Sequence, residues 1–511
     1  MTLVAELAEV SKRVASTASR TGKIRELAGA LRALDASEID IAVLYLSGEI
    51  PQGKIGIQYA GLQAAAAVAP AEHSTLTLRD LDARLSALAA LRGAGSTKKR
   101  AEQLGELIGL STPVERDFIF RLLTGELRQG ALAGVMIDAI ANAAELPIAT
   151  VRRAAMFAEH LGAVALAALT EGASGLARFQ LQLLSPIAPM LAQTAADVAE
   201  ALQQLGGEVA FEWKMDGARI QVHKVDDAVH IYTRSGNDVT ASVPEIVEAV
   251  RSFSNRSFVL DGEAIAMMTT GRPHPFQTTM RRFGRKLDVA AMQAELPIHA
   301  YFFDCLLIDG EGIAERSTRE RIEALLRVVP ESMRIPRLVT ASVEAAQAFY
   351  DASIAAGHEG LMAKSLDAPY EAGNRGASWL KIKRAHTLDL VVLAAEWGNG
   401  RRTGKLSNLH LGALDPVTSE YVMLGKTFKG LTDEMLEWQT QAFLKRETRR
   451  DAYTVYVRPE LVVEIAFSDL QVSPRYPGGL ALRLARVKRY RPDKPASEAD
   501  TMEAVRKLAQ G

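Results

Sequence analysis

The sequence predicts a multidomain chain that joins an all-α region, an α/β region and a small β-barrel. Residues 1–185 are rich in Ala and Leu and repeat apolar residues at intervals of three and four, which is the period of a helix. From Val209 onward, short alternating runs interrupted by helical stretches take over, and several short strands follow His386. The length of 511 residues fits about three domains.

The region 1–185 is predicted to be helical throughout. Proline and glycine mark the breaks between helices, as at Pro51 and Pro147. No residue pattern with an evident chemistry occurs here, so we expect an all-α domain. Apolar residues with helical spacing include Phe118, Leu122, Leu123 and Leu127.

The region 186–384 is predicted to mix strands and helices. Alternating apolar and polar residues over 220–231 predict a hairpin with its turn at 226–227. Helices are expected over 319–328 and 343–355. This region is therefore expected to be an α/β domain.

The region 385–511 is predicted to be mainly β. A strand is expected from His386, and a basic, glycine-rich loop follows over 398–405. Several short strands with one helix are typical of a small β-barrel of the OB type. The further elements are expected over 409–414, 420–424, 433–445 (the helix) and 461–467.

The composition excludes several classes of protein. Cys305 is the single cysteine, so disulfide frameworks and cysteine-based zinc sites are excluded. No run of about 18 apolar residues occurs, and the N-terminus lacks a basic stretch, so a cytoplasmic protein is expected. The formal net charge is -1, yet residues 475–494 hold seven Lys or Arg and one acid, which is a local surface suited to phosphates.

Lys214 begins the motif K-M-D-G, which follows a predicted strand in the run F-E-W-K-M-D-G-A-R. A lysine held at a strand end can attack the α-phosphate of a nucleotide and carry the nucleotide as a phosphoramidate. Three fixed letters are a weak signal by themselves, so the interpretation depends on the residues downstream.

Nucleotidyl transfer through a lysine needs cations for the triphosphate, carboxylates for a metal and an aromatic clamp for the base. Each candidate has a plain structural alternative, since Phe303 alone is more often a core residue and Glu359 a loop carboxylate. We exclude His358 as a ligand because Mg²⁺ prefers oxygen. The order of the whole set outweighs these alternatives. The candidates are Glu212, Arg219, Arg234, Glu263, Phe303, Glu359, Lys364, Arg375, Lys381, Lys383, Arg491, Asp493 and Lys494.

The ordered set resembles the covalent nucleotidyltransferase superfamily, and within it the ATP-dependent DNA ligases of the short actinobacterial type. Further matching stretches are I-A-P-M-L-A, P-F-Q-T-T-M-R-R-F-G-R-K, W-G-N-G-R-R-T-G-K and, in the helical region, G-E-L-R-Q-G-A-L. The resemblance implies a helical DNA-binding domain (1–185), an adenylation domain (186–384) and an OB-fold domain (385–511). One departure is that Leu484, Ala485 and Val487 stand where many members have aromatics and a proline.

The resemblance also implies roles for Lys214 and for the candidates around the AMP moiety. Lys214 would carry AMP as the catalytic residue, and Glu212 would bind the adenine amino group. Phe303 would stack on the adenine ring. Arg219 and Arg234 would contact the ribose, the AMP phosphate or the 5′-phosphate of DNA.

The remaining roles concern metal and phosphates. Glu263 would engage the ribose or a metal, and Glu359 would hold a metal. Lys381 and Lys383 would contact the α-phosphate, and Arg375 would help to form the nucleotide pocket. The residues that would orient the leaving pyrophosphate are Arg491, Asp493 and Lys494.

The function implied is the sealing of 5′-phosphate/3′-hydroxyl nicks in duplex DNA by a monomer, with ATP as co-substrate and Mg²⁺ as metal. Such an enzyme would serve DNA replication, repair or recombination and lie with the nucleoid in the cytoplasm. The last domain would swing on a hinge near 383–390. Candidates for contacts with DNA phosphates are Arg281, Arg282, Arg285, Lys286, Arg401 and Arg402.

Four alternatives belong beside this interpretation. An RNA ligase or a GTP-using capping enzyme would share K-M-D-G but would not need the helical region. An NAD-dependent ligase would carry a four-cysteine zinc site, which this chain lacks. A non-catalytic relic that only binds DNA would tolerate the loss of Lys214, Glu263 or Lys381, and all three are present.

Overall fold

The computed structural model describes residues 1–53, 55–57, 59–127, 129–130, 133–283, 289–383, 386–399 and 402–510. These residues form two compact units. The first comprises Met1–Gln193, Leu202–Ser342 and Ala363–Leu380, and the second comprises Thr194–Ala201, Val343–Met362 and Lys381–Gly511. The predicted domain boundaries stay predictions, and the predicted hinge includes residues 384 and 385, which lie outside the described part.

The first part of the chain is helical. In its described residues up to 192 there are ten α-helices and no β-strand. They are α1 (Val4–Ser16), α2 (Arg20–Arg32), α3 (Ile39–Leu46), α4 (Tyr59–Ala66), α5 (Leu78–Ala90), α6 (Ser96–Gly109), α7 (Pro113–Thr124), α8 (Ala133–Ala144), α9 (Ile148–Phe157) and α10 (Leu161–Leu176).

Helix α7 shows why these segments are helical. The Thr112 side chain accepts from the backbone of Glu115, and the Glu115 carboxylate accepts from the backbone of Thr112, which satisfies donors at the helix start. Gly125 ends the helix with a left-handed backbone. Between these signals, Phe118 and Leu122 share one face and are buried in the helical core, as their spacing predicts.

Strands and helices mix between residues 193 and 383, as predicted. The strands are β1 (Gln193–Thr194), β2 (Val209–Lys214), β3 (Ala218–Val225), β4 (Ala228–Thr233), β5 (Ser257–Ala266), β6 (Ile298–Ile308), β7 (Glu311–Gly312), β8 (Arg337–Thr340), β9 (Gly360–Ser365) and β10 (Trp379–Lys383). The helices are α11 (Val198–Leu205), α12 (Pro244–Arg251), α13 (Phe276–Phe283), α14 (Val289–Glu295), α15 (Thr318–Val328) and α16 (Val343–Ala355).

These strands form two sheets. One has the order β4-β3-β5-β6-β7 and the other the order β1-β10-β9-β2-β8. The predicted hairpin is confirmed, because β3 and β4 pair antiparallel with Val222 opposite Ile231. The two helices predicted in this region are confirmed as α15 and α16. Buried Ile220, Leu260 and Phe302 contribute to the core beneath the first sheet.

The C-terminal part has more strands than predicted. They are β11 (His386–Trp397), β12 (Leu406–Leu414), β13 (Tyr421–Thr427), β14 (Glu447–Arg450), β15 (Thr454–Val457), β16 (Val462–Phe467), β17 (Asp469–Val472), β18 (Leu480–Arg483) and β19 (Arg486–Tyr490). The helices are α17 (Asp433–Leu444), which was predicted, and α18 (Met502–Gln510).

One sheet organises this part. Its order is β13-β12-β11-β15-β14, and β11 also pairs with β16, which in turn pairs with β19. A core that includes Leu390, Leu409, Phe443 and Ile465 lies against it. Among the described residues of the whole chain, no helix has the length and apolar character needed to cross a membrane.

Candidate active site

The K-M-D-G motif connects two strands and packs against a third. Lys214 is the last residue of β2, and Asp216 and Gly217 lead into β3. A Cβ on Gly217 would lie 2.4 Å from the carbonyl oxygen of Ala264 in β5, so this close approach requires glycine. The connection therefore lies against β5 beside Glu263, whose Cγ would also meet that Cβ.

Glu263 lies within electrostatic reach of Lys214. The register of β3 and β5 places Glu263 opposite Arg219. Burial raises the pKa of Glu263 to about 7, although the positive charges of Lys214 and Arg219 lower it, and Asp261 and Asp216 raise it further. A carboxyl that titrates near neutral pH beside a lysine is typical of a functional site.

Glu212 is held by two cations. Glu212 lies two residues before Lys214 on β2, and its side chain is only 2% exposed. Arg337 on β8 donates from Nη2 to Glu212 Oε1 at 2.6 Å and from Nε to the same oxygen at 2.8 Å. Lys364 Nζ lies 2.7 Å from Glu212 Oε2. Both carboxylate oxygens therefore have a positively charged partner.

Lys364 also contacts the aromatic residues of this region. Its Nζ lies 4.5 Å from the ring centroid of Phe303 and 4.1 Å from that of Trp379, and these two rings pack edge to face. Burial lowers the pKa of Lys364, while Glu212 and Asp304 partly restore it. Phe303 is partly buried and packs beside Met215 of the K-M-D-G motif.

Arg219 anchors the segment that leads into this part of the chain. Its Nε donates to Asp261 Oδ1 at 3.0 Å, its Nη1 to the Met190 carbonyl at 2.6 Å and its Nη2 to the Tyr370 hydroxyl at 3.1 Å. Burial alone would lower the pKa of Arg219, but the charge of Asp261 gives a net rise. Arg219 is therefore a permanent cation held by the protein, and its predicted nucleotide or DNA contact stays a prediction.

Arg234 and Arg375 have a different environment. Both are exposed. Within the described part of the chain, neither side chain forms a hydrogen bond or an ion pair. Their guanidinium groups therefore stay accessible to an anionic ligand, as their predicted roles require.

The candidates for DNA contacts divide into three groups. Arg282 is buried, donates to Glu245 at 2.8 Å and to two backbone carbonyls, so the prediction that it contacts DNA is wrong. Arg281 is exposed, and Arg402 is partly exposed and donates to the Phe428 carbonyl. The candidates outside the described residues are Arg285, Lys286 and Arg401.

The second unit carries the other predicted phosphate and metal residues. Lys381 and Lys383 lie on β10 on either side of buried Ile382, so they share one face of the strand. Lys383 Nζ lies 2.6 Å from Glu359 Oε2, and both side chains are partly buried. This ion pair joins a predicted phosphate contact to a predicted metal ligand.

The predicted pyrophosphate residues Arg491, Asp493 and Lys494 are linked to β11 through Asp389. Arg491 Nη1 lies 2.8 Å from Asp389 Oδ2, and Lys494 Nζ lies 2.9 Å from the same oxygen. Arg491 also bonds Asp493, and this bond lowers the pKa of Asp493 to about 2. The Asp389 carboxylate thus positions both cations among the three residues predicted to orient the pyrophosphate.

Several partners of the candidate residues, in both units, were not predicted from the sequence. Arg337 lies 125 positions from Glu212 in the chain, and no motif marks it. Asp261 and Tyr370 share a hydrogen bond of 2.7 Å across 109 positions. Asp389 was predicted only as part of an apolar strand. The sequence offered one signal for Asp261 and Asp389, which is that each is an acidic residue next to a run of apolar residues, as in V-L-D-G-E and D-L-V-V-L.

The metal ligands predicted at Glu263 and Glu359 stay a prediction. Among the described residues, no group of three or more Asp, Glu, His or Cys side chains could hold a metal ion. Mg²⁺ usually takes one or two protein carboxylates and completes its shell with water and phosphates. Glu263 fits that pattern, because a carboxyl whose pKa burial has raised gains from a nearby positive charge.

Three family models match the chain in order. They are "DNA ligase N terminus" over residues 62–141, "ATP dependent DNA ligase domain" over 189–383 and "ATP dependent DNA ligase C terminal region" over 402–494. The middle match contains Lys214 and Glu263, and the last contains Arg491 and Lys494. The order of the matches agrees with the order of the predicted regions.

Relatives and solved structures agree with these matches. A "Probable DNA ligase" of Anaeromyxobacter dehalogenans is 57% identical over 100% of both chains, and one of Mycolicibacterium gilvum is 54% identical over 99% of both. The solved structure "Pmar-Lig_Pre." has a TM-score of 0.64 at 18% identity, covering 95% of this chain and 99% of that chain, which supports a similar fold. The chain therefore belongs to the family of ATP-dependent DNA ligases.

Proposed function

We propose that this member of the family carries AMP on Lys214 and uses it to seal nicks in duplex DNA. The Lys214 amine attacks the α-phosphorus of ATP, the bond from that phosphorus to the bridging oxygen breaks, and pyrophosphate leaves. AMP then passes to the 5′-phosphate at the nick. Attack by the 3′-hydroxyl on that phosphate closes the strand and releases AMP.

The observation that carries the proposal is the position of Lys214. It ends a strand within electrostatic reach of Glu263 and follows the buried Glu212 by two residues. A lysine amine must be neutral to attack, and general principles allow nearby cations to favour that form. In the proposed site, Glu212 binds the adenine amino group and Phe303 stacks on the ring.

The other candidates serve the ribose, the phosphates and the metal. Arg219, Arg234 and Arg375 contact the sugar and phosphates. In the second unit, Lys381 and Lys383 neutralise charge on the α-phosphate, as positioned cations do in phosphoryl transfer generally. The residues proposed to orient the pyrophosphate are Arg491, Asp493 and Lys494.

A bound Mg²⁺ would neutralise triphosphate charge, and Glu263 and Glu359 would supply its protein ligands. The Lys383–Glu359 ion pair supports this role for Glu359, because it fixes the position of the carboxylate. Burial raises the pKa of Glu263, and nearby positive charge lowers it, so a bound cation would favour the charged form that can act as a ligand.

The proposal assigns a function to each region. The helical residues 1–185 bind DNA, residues 186–384 form the adenylation domain, and residues 385–511 form an OB-fold domain. The substrate is nicked duplex DNA and the enzyme acts as a monomer. Exposed Arg281 and the partly exposed Arg402 are proposed backbone contacts.

A label chase tests the proposal. The protein is incubated with Mg²⁺ and ATP labelled at the α-phosphate, and nicked duplex DNA is then added. Lys214→Ala should take no label, whereas Lys224→Met, which changes a buried lysine on β3, should take label like the wild type. We expect the label to leave as AMP while the nick closes.

Other outcomes would overturn the proposal in distinguishable ways. Label that stays on the protein with nicked DNA but leaves with nicked RNA would establish an RNA ligase. No label on a protein that binds DNA would establish a non-catalytic binding protein. Label that persists in Lys214→Ala would place the covalent bond on another residue.

A further inference from the structure

Lys364 contacts both groups that the proposed site uses for the base. Its ammonium lies 2.7 Å from Glu212 Oε2 and within 4.5 Å of the Phe303 ring centroid. The other oxygen of Glu212 is occupied by Arg337.

We propose that Lys364 and Arg337 are positioning residues that hold the Glu212 carboxylate in place, so that it selects a purine with an amino group at position six. This inference rests on the proposed function, because it specifies how the nucleotide of the first step is chosen. Neither cation needs to touch the substrate. Both act through Glu212, and Lys364 also acts through Phe303.

The chemistry of the carboxylate gives the selectivity. An ionised carboxylate only accepts hydrogen bonds, and its two oxygens offer about four acceptor sites. Arg337 donates two hydrogen bonds to Oε1, and Lys364 forms an ion pair with Oε2, so acceptor capacity remains on Glu212. An adenine amino group can donate to it, whereas a six-oxo purine presents a second acceptor and would repel it.

A purely structural role does not account for this arrangement. Lys364 and Glu212 are 1% and 2% exposed, and Arg337 is 10% exposed. Burying such charges is costly, and well-packed apolar replacements of buried ion pairs are often neutral or stabilising. Three charged side chains beside the K-M-D-G strand therefore carry a cost in stability that a role in nucleotide selection would explain.

Phe303 and Trp379 add a second constraint on the same ammonium. Lys364 Nζ lies over both rings, at 4.5 Å and 4.1 Å from their centroids, and the rings meet at 76°. A cation over an aromatic ring is attracted by the negative charge of its face. The stacking ring and the polar acceptor are thus fixed relative to each other through one side chain.

The test measures the first step with three nucleotides. Single-turnover labelling of full-length protein is compared for ATP, for purine ribonucleoside triphosphate, which lacks the six-amino group, and for inosine triphosphate, which has a six-oxo group. The variants are Lys364→Met and Arg337→Gln. The matched control is Lys224→Met, because Lys224 is also a buried lysine near an aromatic ring, 5.7 Å from the Phe258 centroid.

The wild type should prefer ATP over both analogues by about tenfold or more, as expected for a hydrogen bond to a charged acceptor. The preference should fall to about threefold or less in Lys364→Met and in Arg337→Gln, chiefly through the KM for ATP, because the remaining cation no longer fixes Glu212. Lys224→Met should keep the wild-type preference. A change in stability alone would not move this ratio.

Three results would decide against the inference. If the wild type does not prefer ATP over the two analogues, Glu212 is not the group that selects the nucleotide. A folded Lys364→Met with an unchanged preference would remove Lys364, and if that variant fails to fold, an unchanged preference in Arg337→Gln overturns the proposal instead. Absence of Lys214-dependent label in the wild type would overturn the proposed function itself, whereas normal labelling with an unmoved preference overturns only the inference.

Discussion

At the scale of a single residue, the burial of Glu263 lowers the stability of the folded chain at neutral pH and above, while its carboxyl is proposed to serve the reaction. Burial raises its pKa from 4.5 to about 7, and the charges of Lys214 and Arg219 offset only part of that rise. The carboxyl is therefore poorly solvated in its charged form. Such a group is useful beside a nucleotide and a metal, where added positive charge would favour ionisation.

Glu263→Gln is expected to stabilise the protein above neutral pH. In the folded chain Glu263 keeps its proton up to about pH 7, whereas in the unfolded chain it loses the proton near 4.5. Between these values the folded state binds more protons, so wild-type stability falls as the pH rises. Glutamine cannot ionise, so the variant should exceed the wild type by about 3 kcal/mol near pH 8 and by much less near pH 5.

Urea unfolding without metal or nucleotide measures this difference. Glu323→Gln is the control, because Glu323 is exposed on α15, and it should change stability little at either pH. A gap between Glu263→Gln and the wild type that stays constant from pH 5 to pH 8 would contradict the assignment of the raised pKa to Glu263.

At the scale of secondary structure, the pairing of strand β19 explains how the basic residues near the end of the chain come close to Asp389 of β11. Val487 is buried and lies opposite Ile465 of β16, while Arg486 and Lys488 on either side are exposed. Strand β16 pairs in turn with β11, which carries Asp389. The strand order therefore brings the residues after β19 to the start of β11.

Asp389→Asn is expected to slow self-adenylation and to spare sealing. Asparagine keeps the shape of the side chain but removes the charge that Arg491 and Lys494 share. The two cations then lose their common position, and lysine adenylation at low ATP should fall about tenfold, as small misplacements of positioning groups do. Sealing of a nick that already carries AMP should stay near the wild-type rate.

The control for this variant is Glu464→Gln. Glu464 pairs with Arg489 of β19 on the neighbouring strand, but it does not contact Arg491 or Lys494 through a side-chain hydrogen bond in the described residues. It should leave both steps near wild type. An equal loss of both steps in Asp389→Asn would show that Asp389 maintains the local fold and does not position the cations for the first step.

At the scale of the whole molecule, charge distribution matters more than net charge. The chain has 60 Lys or Arg and 61 Asp or Glu, so the average charge predicts no attraction to DNA. The basic residues of the segment 475–494 are unmatched in sequence, with seven cations to one acid. Binding through the DNA backbone would use such local surfaces and would depend strongly on salt.

The affinity for nicked duplex DNA should therefore fall by roughly a thousandfold or more between 50 and 200 mM salt, as for proteins with several phosphate contacts. Fluorescence anisotropy with a labelled nicked duplex measures it. Lysine adenylation without DNA is the internal control and should change far less over this range. An affinity for nicked duplex DNA that does not change with salt would contradict the prediction that the protein contacts the DNA backbone.

The sequence predicted elements better than it predicted partners. The helices 319–328 and 343–355 were predicted within one residue, because their patterns are local. Strands such as β14, with the sequence E-T-R-R, and β19, with R-V-K-R-Y, were not predicted as strands, because their charged residues hide the alternation. Arg282 was predicted as a surface residue because a basic run on a short helix does not show which of its side chains points inward.

The sequence by itself determined the family and the identity of the candidate lysine. The K-M-D-G motif, its distance from a strand and the order of the later motifs are all local features, which the chain displays without folding. Only the tertiary structure decided the electrostatics of the site. Arg337 and Lys364 reach Glu212 from the two strands that flank β2 in the sheet, although both are more than 100 positions away in the sequence, and Asp389 pairs with both Arg491 and Lys494. Charges act through space, so their partners and their pKa values are fixed only when the strands have packed.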